Sequence, residues 1–296
     1  MPGLALRLTI VGCGYVGMTL ACELQSHRTT TQLTLTTTSE ARLEDLKPLA
    51  EHVQICNAQN PKQLFEALSE ADVAVFCLGP KGDRQVDAAG YSQTFLDSFN
   101  CLKQLLPALP KLGQIVYTSS CSVYGDAAGD WVDETTPAQA HDDHSAVLVK
   151  AEHLLQNLAE TASKQVCILR LAALHGPGRD LDQRFRGLAG QNRAGDGQRF
   201  TNWVHVADAA GALRASIEEG WSGVVNVVND EPIRLADLVD GALCRQGLAP
   251  IRWGGEAQQS GCNRRISNRR LKQRGYQLQH PTIVDQRGVL DASQVP

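Results

Sequence analysis

The hexapeptide Gly12-Cys13-Gly14-Tyr15-Val16-Gly17 follows the apolar run Leu6 to Val11 and opens a helical stretch. Three glycines at that spacing, between a strand and a helix, restrict the fold more than any other feature of the chain. The first permits a tight turn, the second lets backbone N–H groups approach a pyrophosphate, and the third lets helix and strand pack closely. The alternative is a tight turn that merely contains glycines. The expectation is a βαβ unit whose loop, Gly12, Cys13, Gly14, Tyr15, Val16 and Gly17, holds a dinucleotide.

The rhythm of the amino-terminal half agrees. Strands are predicted near Leu6 to Val11, Gln32 to Thr37, Val53 to Cys56, Asp72 to Leu78, Gln114 to Ser119 and Val166 to Arg170, with helices between them. From Tyr91 to Leu109, Phe95, Phe99, Leu102, Leu105 and Leu106 recur at steps of three and four, which predicts one apolar helix face ended by Pro107 and Pro110. Seven threonines lie between Thr29 and Thr38, but Leu33 and Leu35 alternate with them, as in a half-buried strand. Past residue 175 the pattern breaks into loops rich in glycine and arginine, then a strand at Val224 to Val228 and a helix from about Leu235. The fold class expected is α/β, a doubly wound parallel sheet (Rossmann fold) over residues 1–175. Residues 176–296 form a smaller substrate-binding part, intertwined with the first because no flexible linker separates them.

Charge and cysteine usage narrow the partners. With 28 Lys and Arg against 32 Asp and Glu, the net charge of −4 argues against a grip on nucleic acid or an anionic membrane, so the expected partner is a small-molecule substrate. A homodimer is left open. Leu8 to Cys22 carries no charge but is too short for a membrane span, and its glycines make it a mature segment rather than a leader. Nine cysteines without a C-x-x-C pair fit a reducing cytoplasm, and no metal site is expected.

Further along the dinucleotide path, the second strand ends in Thr36-Thr37-Thr38-Ser39, where an acidic residue would bond the ribose of NAD. Thr37, Thr38 and Ser39 with Arg42 one turn later would tolerate a 2′-phosphate better, so the expected cofactor is NADP or NAD, with NADP favoured and Glu40 keeping NAD open. Arg42 also reads as a solvated helix residue. Asn57, after the third strand, is a candidate for the adenine. Leu78, Gly79 and Pro80, after the fourth, would pass close to the cofactor, although a Gly-Pro turn needs no such reason.

The fifth strand runs into Tyr117-Thr118-Ser119-Ser120-Cys121-Ser122-Val123-Tyr124-Gly125. Together with the glycine loop, Arg170 to Gly178, Asn202 to Asp208 and Ile266 to Leu271, it resembles an extended short-chain dehydrogenase/reductase of the NAD-dependent epimerase/dehydratase type. The resemblance covers nearly the whole chain. It implies nucleotide-sugar or related carbonyl chemistry at the carboxyl ends of the strands, with Ser120 bonding the reacting oxygen. Such a hydroxyl can orient a carbonyl and stabilise charge developing on it; alternatively it bonds the local turn.

The chain departs from that family at the proton donor, the Tyr of a Y-x-x-x-K helix. There is no Tyr between Tyr124 and Tyr276. Counting back from Lys150 puts Ala146 at the Tyr position. Aligning Ala151 to Leu155 with the family's helix instead puts His144 there and Leu148 in place of the Lys, and both registers stand. His144 is a candidate acid or base, and Lys150 a candidate ribose-binding residue. Asp142-Asp143-His144-Ser145 also reads as an ordinary helix start. Ala173 and His175 replace the Asn and Tyr of the family's N-V-Y-G-P-G turn, which weakens a sugar-nucleotide assignment.

Two charge asymmetries remain. Asp126 to Asp143 is acidic without Lys or Arg, whereas Arg264, Arg265, Arg269, Arg270, Lys272 and Arg274 offer either an anchor for a phosphorylated substrate or a solvated face. The expected function is an NAD(P)-dependent oxidoreductase or epimerase acting on a carbonyl or alcohol, a nucleotide sugar included, with an atypical active site. The alternative is a non-catalytic NAD(P)-binding sensor or partner-binding module.

Overall fold

Short runs of leucine and β-branched residues, buried on both faces, build the centre of the molecule, as parallel sheets require. The computed structural model describes residues 6–27, 31–80, 87–255 and 262–283. Its main sheet has seven strands: β1 (Leu6–Val11), β2 (Thr31–Thr37), β3 (His52–Ile55), β4 (Val73–Phe76), β5 (Gln114–Ser120), β6 (Gln165–Leu171) and β7 (Gly223–Val227). All pairings are parallel, in the order β7-β6-β5-β4-β1-β2-β3. Leu8 lies opposite Val73 and Ile10 opposite Val75, so apolar pairs run through the middle of the sheet. The strand order reverses between β1 and β4, and there a doubly wound sheet opens its ligand crevice.

Helices cover both faces. On one side α1 (Tyr15–Ser26) packs against α2 (Val206–Glu218 in the carboxyl-terminal half), with Arg214 Nε 3.2 Å from Glu23. The other layer holds α3 (Pro61–Leu68), the α4 rod and α5 (Asp143–Thr161). The α4 rod is Ala88–Ser92 and Ser98–Leu105 joined through a π turn at Gln93–Asp97. It begins before the expected Tyr91, because Asp87 accepts from Gly90 N and caps it. Helix α5 starts on a capping box: the Asp142 carboxylate accepts from Ser145 N at 2.7 Å and Ser145 Oγ from Asp142 N at 3.1 Å.

The chain leaves the sheet after β6 and returns to it with α2 and β7, so residues 206–227 belong to the main core although they lie beyond residue 175. A smaller core gathers Leu181, Phe185, Trp203, Leu238, Val239, Ala242, Leu243 and Ile251. The two charge asymmetries meet one another, because Trp131–Val132 pairs with Arg265–Ile266. Arg264 donates to the carbonyls of Gly125 and Cys121, Arg265 to that of Gly129, and Arg270 to that of Val224. Lys272 pairs with Asp230 at 2.7 Å and Arg274 donates to Ser222 O. Arg264 and Arg265 thus clamp the start of the acidic loop, while Arg270, Lys272 and Arg274 are tied to the segment around β7. Among the described residues no helix is long and apolar enough to cross a membrane.

Candidate functional site

A cavity of about 770 Å³ opens at the carboxyl ends of β1, β4 and β5. Its floor at one end is the glycine loop, and the three glycines do three separate jobs. Gly12 has φ +86°, and a Cβ there would come 2.9 Å from Cys77 O. Gly17 faces Gly12 O and Ile10 Cγ2, where a Cβ would stand at 3.1 and 3.2 Å, so it sets how closely α1 approaches β1. A Cβ at Gly14 would meet no atom of the described residues within 4 Å; it would project into open space. That open face, at the N-terminus of a 12-residue helix with no side-chain cap, leaves backbone N–H groups directed at the cavity. It is the cradle an anionic pyrophosphate fits.

Gly12, Cys13, Gly14, Tyr15 and Val16 line the cavity, as do Thr37, Thr38, Arg42, Asn57, Leu78, Gly79 and Pro80. Ser39 does not: its N–H turns back onto Thr37 Oγ1 at 3.2 Å, and the strand-end bend carries its side chain off the wall. Thr36, buried, spends its hydroxyl on Gly12 N at 3.1 Å and so fixes the turn instead of facing a ligand. Arg42 donates to Met18 Sδ at 2.7 Å, and Arg179 stacks on the Tyr15 ring with its guanidinium carbon 4.5 Å from the centroid. The Tyr15 hydroxyl donates to Pro177 O at 2.9 Å. Among the described residues, these two arginines are the charged groups of the lining, and no Asp, Glu, Lys or His joins them.

At the other end the wall is Thr118, Ser119 and Ser120 of β5, Leu148 of α5, and Gly90, Tyr91, Gln93, Thr94, Phe95 and Ser98 of α4. Ser120 Oγ accepts from Ser122 N at 3.1 Å, which uses a lone pair and leaves the O–H to donate. Behind it the Ser119 hydroxyl donates at 2.6 Å to Glu152, which holds Arg170 through Nε and Nη2 in a fully buried pair. Arg170 in turn lies over the Tyr124 ring, and the Tyr124 hydroxyl donates to Asn226 at 2.7 Å. Burial pushes the thiols of Cys13, Cys56 and Cys77 up to about 12, so the sulfurs of the lining are neutral.

Of the residues named in the two helix registers, Leu148 lies on the cavity wall and Ala146, His144 and Lys150 do not. Lys150 is exposed and away from the cavity, because two residues along a helix turn a side chain through about 200°. His144, four residues before Leu148, shares its face but stops short of the lining: its ring packs edge-on against Tyr91, centroids 4.5 Å apart at 82°. Tyr91 itself lines the cavity, as do Thr118, Leu148 and Arg179, none of which the sequence reading names as a site residue. For Leu148 a signal existed in the buried stripe Leu148, Ala151, Leu155 of α5. For Arg179, after a Gly-Pro-Gly turn, none did.

Comparison with known proteins agrees with this geometry. Residues 8–228 match the NAD dependent epimerase/dehydratase family. Protein YeeZ of Escherichia coli K12 is 34% identical over 218 residues, 70% of this chain and 71% of that protein. A 3-diazoavenalumate denitrifying reductase of a Streptomyces species is 34% identical over 128 residues, 41% of this chain and 42% of the reductase. The structure of DesIV, a dTDP-glucose 4,6-dehydratase of Streptomyces venezuelae with NAD and TYD bound, superposes with a TM-score of 0.76 at 17% identity, covering 92% of each chain. The glycine turn, the strand order and the match across both halves of the sheet make one conclusion: the chain belongs to the NAD dependent epimerase/dehydratase family.

Proposed function

We propose that this family member is an NAD(P)-dependent oxidoreductase or epimerase that works on a carbonyl or alcohol, with NADP preferred over NAD. One observation carries the reading: a single cavity has the open face of Gly14 at one end and the Ser120 hydroxyl at the other. Two guanidinium groups and no carboxylate among its described lining suit a polyanionic dinucleotide. When bound, the nicotinamide supplies or accepts the hydride. The chain's part is positional. Backbone N–H groups of the glycine loop hold the pyrophosphate, Asn57 faces the adenine, and Thr37, Thr38 and Arg42 hold the adenosine ribose and its 2′-phosphate. Leu78, Gly79 and Pro80 run alongside. Ser120 donates its O–H to the substrate oxygen, where charge develops as the carbon is reduced. Nucleotide sugars belong among the candidate substrates, since DesIV is a dTDP-glucose dehydratase.

The rival reading, a non-catalytic sensor, draws on the replacement of the ribose-binding Lys by Leu148 and the distance of Lys150 from the cavity. One experiment separates them. Thermal unfolding is recorded with NAD, NADH, NADP and NADPH, where a ligand at 100 times its Kd stabilises by about 2.7 kcal/mol. The expected result is a larger shift with the phosphorylated pair, a gap that Arg42→Ala narrows. A panel of carbonyl compounds and sugar nucleotides is then assayed with the favoured cofactor, and Ser120→Ala should lower turnover by about 100-fold at unchanged cofactor affinity. Tight cofactor binding with no turnover on the whole panel would establish the sensor instead.

A further inference from the structure

We infer that Tyr91 is the proton donor of this site, an inference that rests on the oxidoreductase reading above. Reduction of a carbonyl by hydride places a negative charge on oxygen, and a group within reach must supply a proton. Among the described residues the lining offers few. It has no Asp, Glu, Lys or His, its guanidinium groups do not give up protons, and its thiols are weak donors. Its serine and threonine hydroxyls are far weaker acids than a phenol, which leaves two phenols, Tyr15 and Tyr91. Tyr15 is committed at the glycine loop, with its hydroxyl on Pro177 O at 2.9 Å and its ring against Arg179.

Tyr91 stands at the other end. Its rod α4 packs on α5, the helix that carries Leu148, and the contact point is Tyr91 itself on His144. The helix α5 that carries His144 and Leu148 also packs on β5, and Tyr91, Leu148 and Ser120 line the same cavity, so Tyr91 belongs to the β5 end. The ring is fixed on two sides, by His144 at 4.5 Å and by Phe95 at 5.4 Å between centroids. His144 is thereby a positioning residue. Immediately after Tyr91 the rod takes its π turn at Gln93–Asp97, a local distortion common at functional sites.

Burial raises the phenol above its usual range and the Asp142 carboxylate raises it further, so at neutral pH the group carries the proton it would donate. A bound, reduced dinucleotide would supply the hydride and be oxidised in doing so. As the hydride adds to carbon, the C=O π pair moves onto oxygen, the Tyr91 O–H bond breaks and an O–H bond forms on the substrate oxygen. The carbon is reduced to the alcohol level, and the Tyr91 phenolate recovers its proton from water.

The test uses full-length protein labelled at tyrosine Cζ with carbon-13, the five tyrosine signals being assigned by substitution. With saturating NADPH, the Tyr15 and Tyr91 signals should move while Tyr117, Tyr124 and Tyr276 stay. Y91F, which keeps the ring contacts, should lower turnover of the carbonyl panel at least about 100-fold, with the NADPH-induced thermal shift intact. A Tyr15 signal that moves while Tyr91 does not would overturn the inference and leave the cofactor reading standing. So would Y91F turning over within threefold of the natural protein, or a loaded natural protein that reduces nothing. If neither signal moves, the cofactor reading falls first. The labelled natural protein decides even where Y91F does not fold.

Discussion

The two ends of one cavity are built on different principles. At the glycine loop the binding surface is backbone: Gly12, Gly14 and Gly17 lie within six residues, and each acts by lacking a side chain. At the β5 end the surface is side chains brought from distant segments, Ser120, Leu148 and Tyr91. A backbone cradle depends on turn geometry and survives only if the glycines stay. A side-chain site depends on direction alone, so a function lost at one position can be filled from a neighbouring helix. A site of the second kind leaves room for the proposed role of Tyr91 in place of the missing family Tyr, whereas nothing could stand in for a missing glycine.

The difference can be broken from the β5 side first. Glu152 and Arg170 form a buried pair behind Ser119, and removing one partner of such a pair costs about 3–5 kcal/mol because the other charge stays buried. Glu152→Ala should therefore lower the unfolding free energy by that amount in urea titrations, while protein still folded at low temperature keeps its cofactor-induced shift. If cofactor binding fails in the folded fraction, the two ends are not independent.

The glycine end allows a sharper cut within itself. Gly12→Ala forces a side chain onto φ +86° and into Cys77 O, and such backbone strain costs about 1–3 kcal/mol. Both stability and dinucleotide affinity should fall. Gly14→Ala meets nothing in the protein, so stability should hold while the dinucleotide Kd, read by fluorescence titration, rises at least about tenfold. Equal stability losses in the two variants would refute the division of labour among the glycines.

Acid supplies the mildest probe. His175, next to the lining residue Leu174, is held down to about 4, first by burial and then by His205 and His280, and its Nε2 has no hydrogen-bond partner among the described residues. A histidine depressed from 6.5 in the unfolded chain gives stability that is complete above pH 6.5 and lost as pH falls toward 4. Its partial exposure limits the effect to under about 2 kcal/mol. Denaturation curves between pH 7 and pH 4 should show a shallower loss in His175→Asn than in the natural protein, and parallel curves would remove the histidine from the account.

Most of the sheet could be read along the chain, because alternating apolar runs and the glycine turn are local signals. Strands β1 to β6 fall within a few residues of their expected places, and the five loop residues Gly12 to Val16 line the cavity. What escaped has a common cause. Lys150 and Leu148 differ by two positions; the apolar spacing Leu148, Ala151, Leu155 marks the packed face, but that this face also meets the cavity is set only when the helix is placed on β5. Ser39 follows Thr38 directly, yet one bend separates a lining residue from one outside. Tyr91 begins an apolar stripe that reads as ordinary core, and its opening onto the cavity is set by neighbours from α5. The partners of the basic stretch Arg264 to Arg274 lie in two distant segments, around Gly125 to Gly129 and around Ser222 to Asp230, which no local pattern connects to it.

The π turn in α4 has a consequence for how this chain tolerates change in length. One residue on a helix is about 100° of rotation, and a π turn takes in one residue more than an α turn, so it acts as a phase shifter between the two halves of the rod. Below it, Phe99 and Leu102 point into the core; above it, Tyr91 faces the cavity. Deleting a single residue from Gln93–Asp97 would turn Tyr91 by about 100° relative to Phe99 and Leu102. The same rod thus stores, in one extra residue, the choice between a helix that only supports the sheet and one that also lines the cavity.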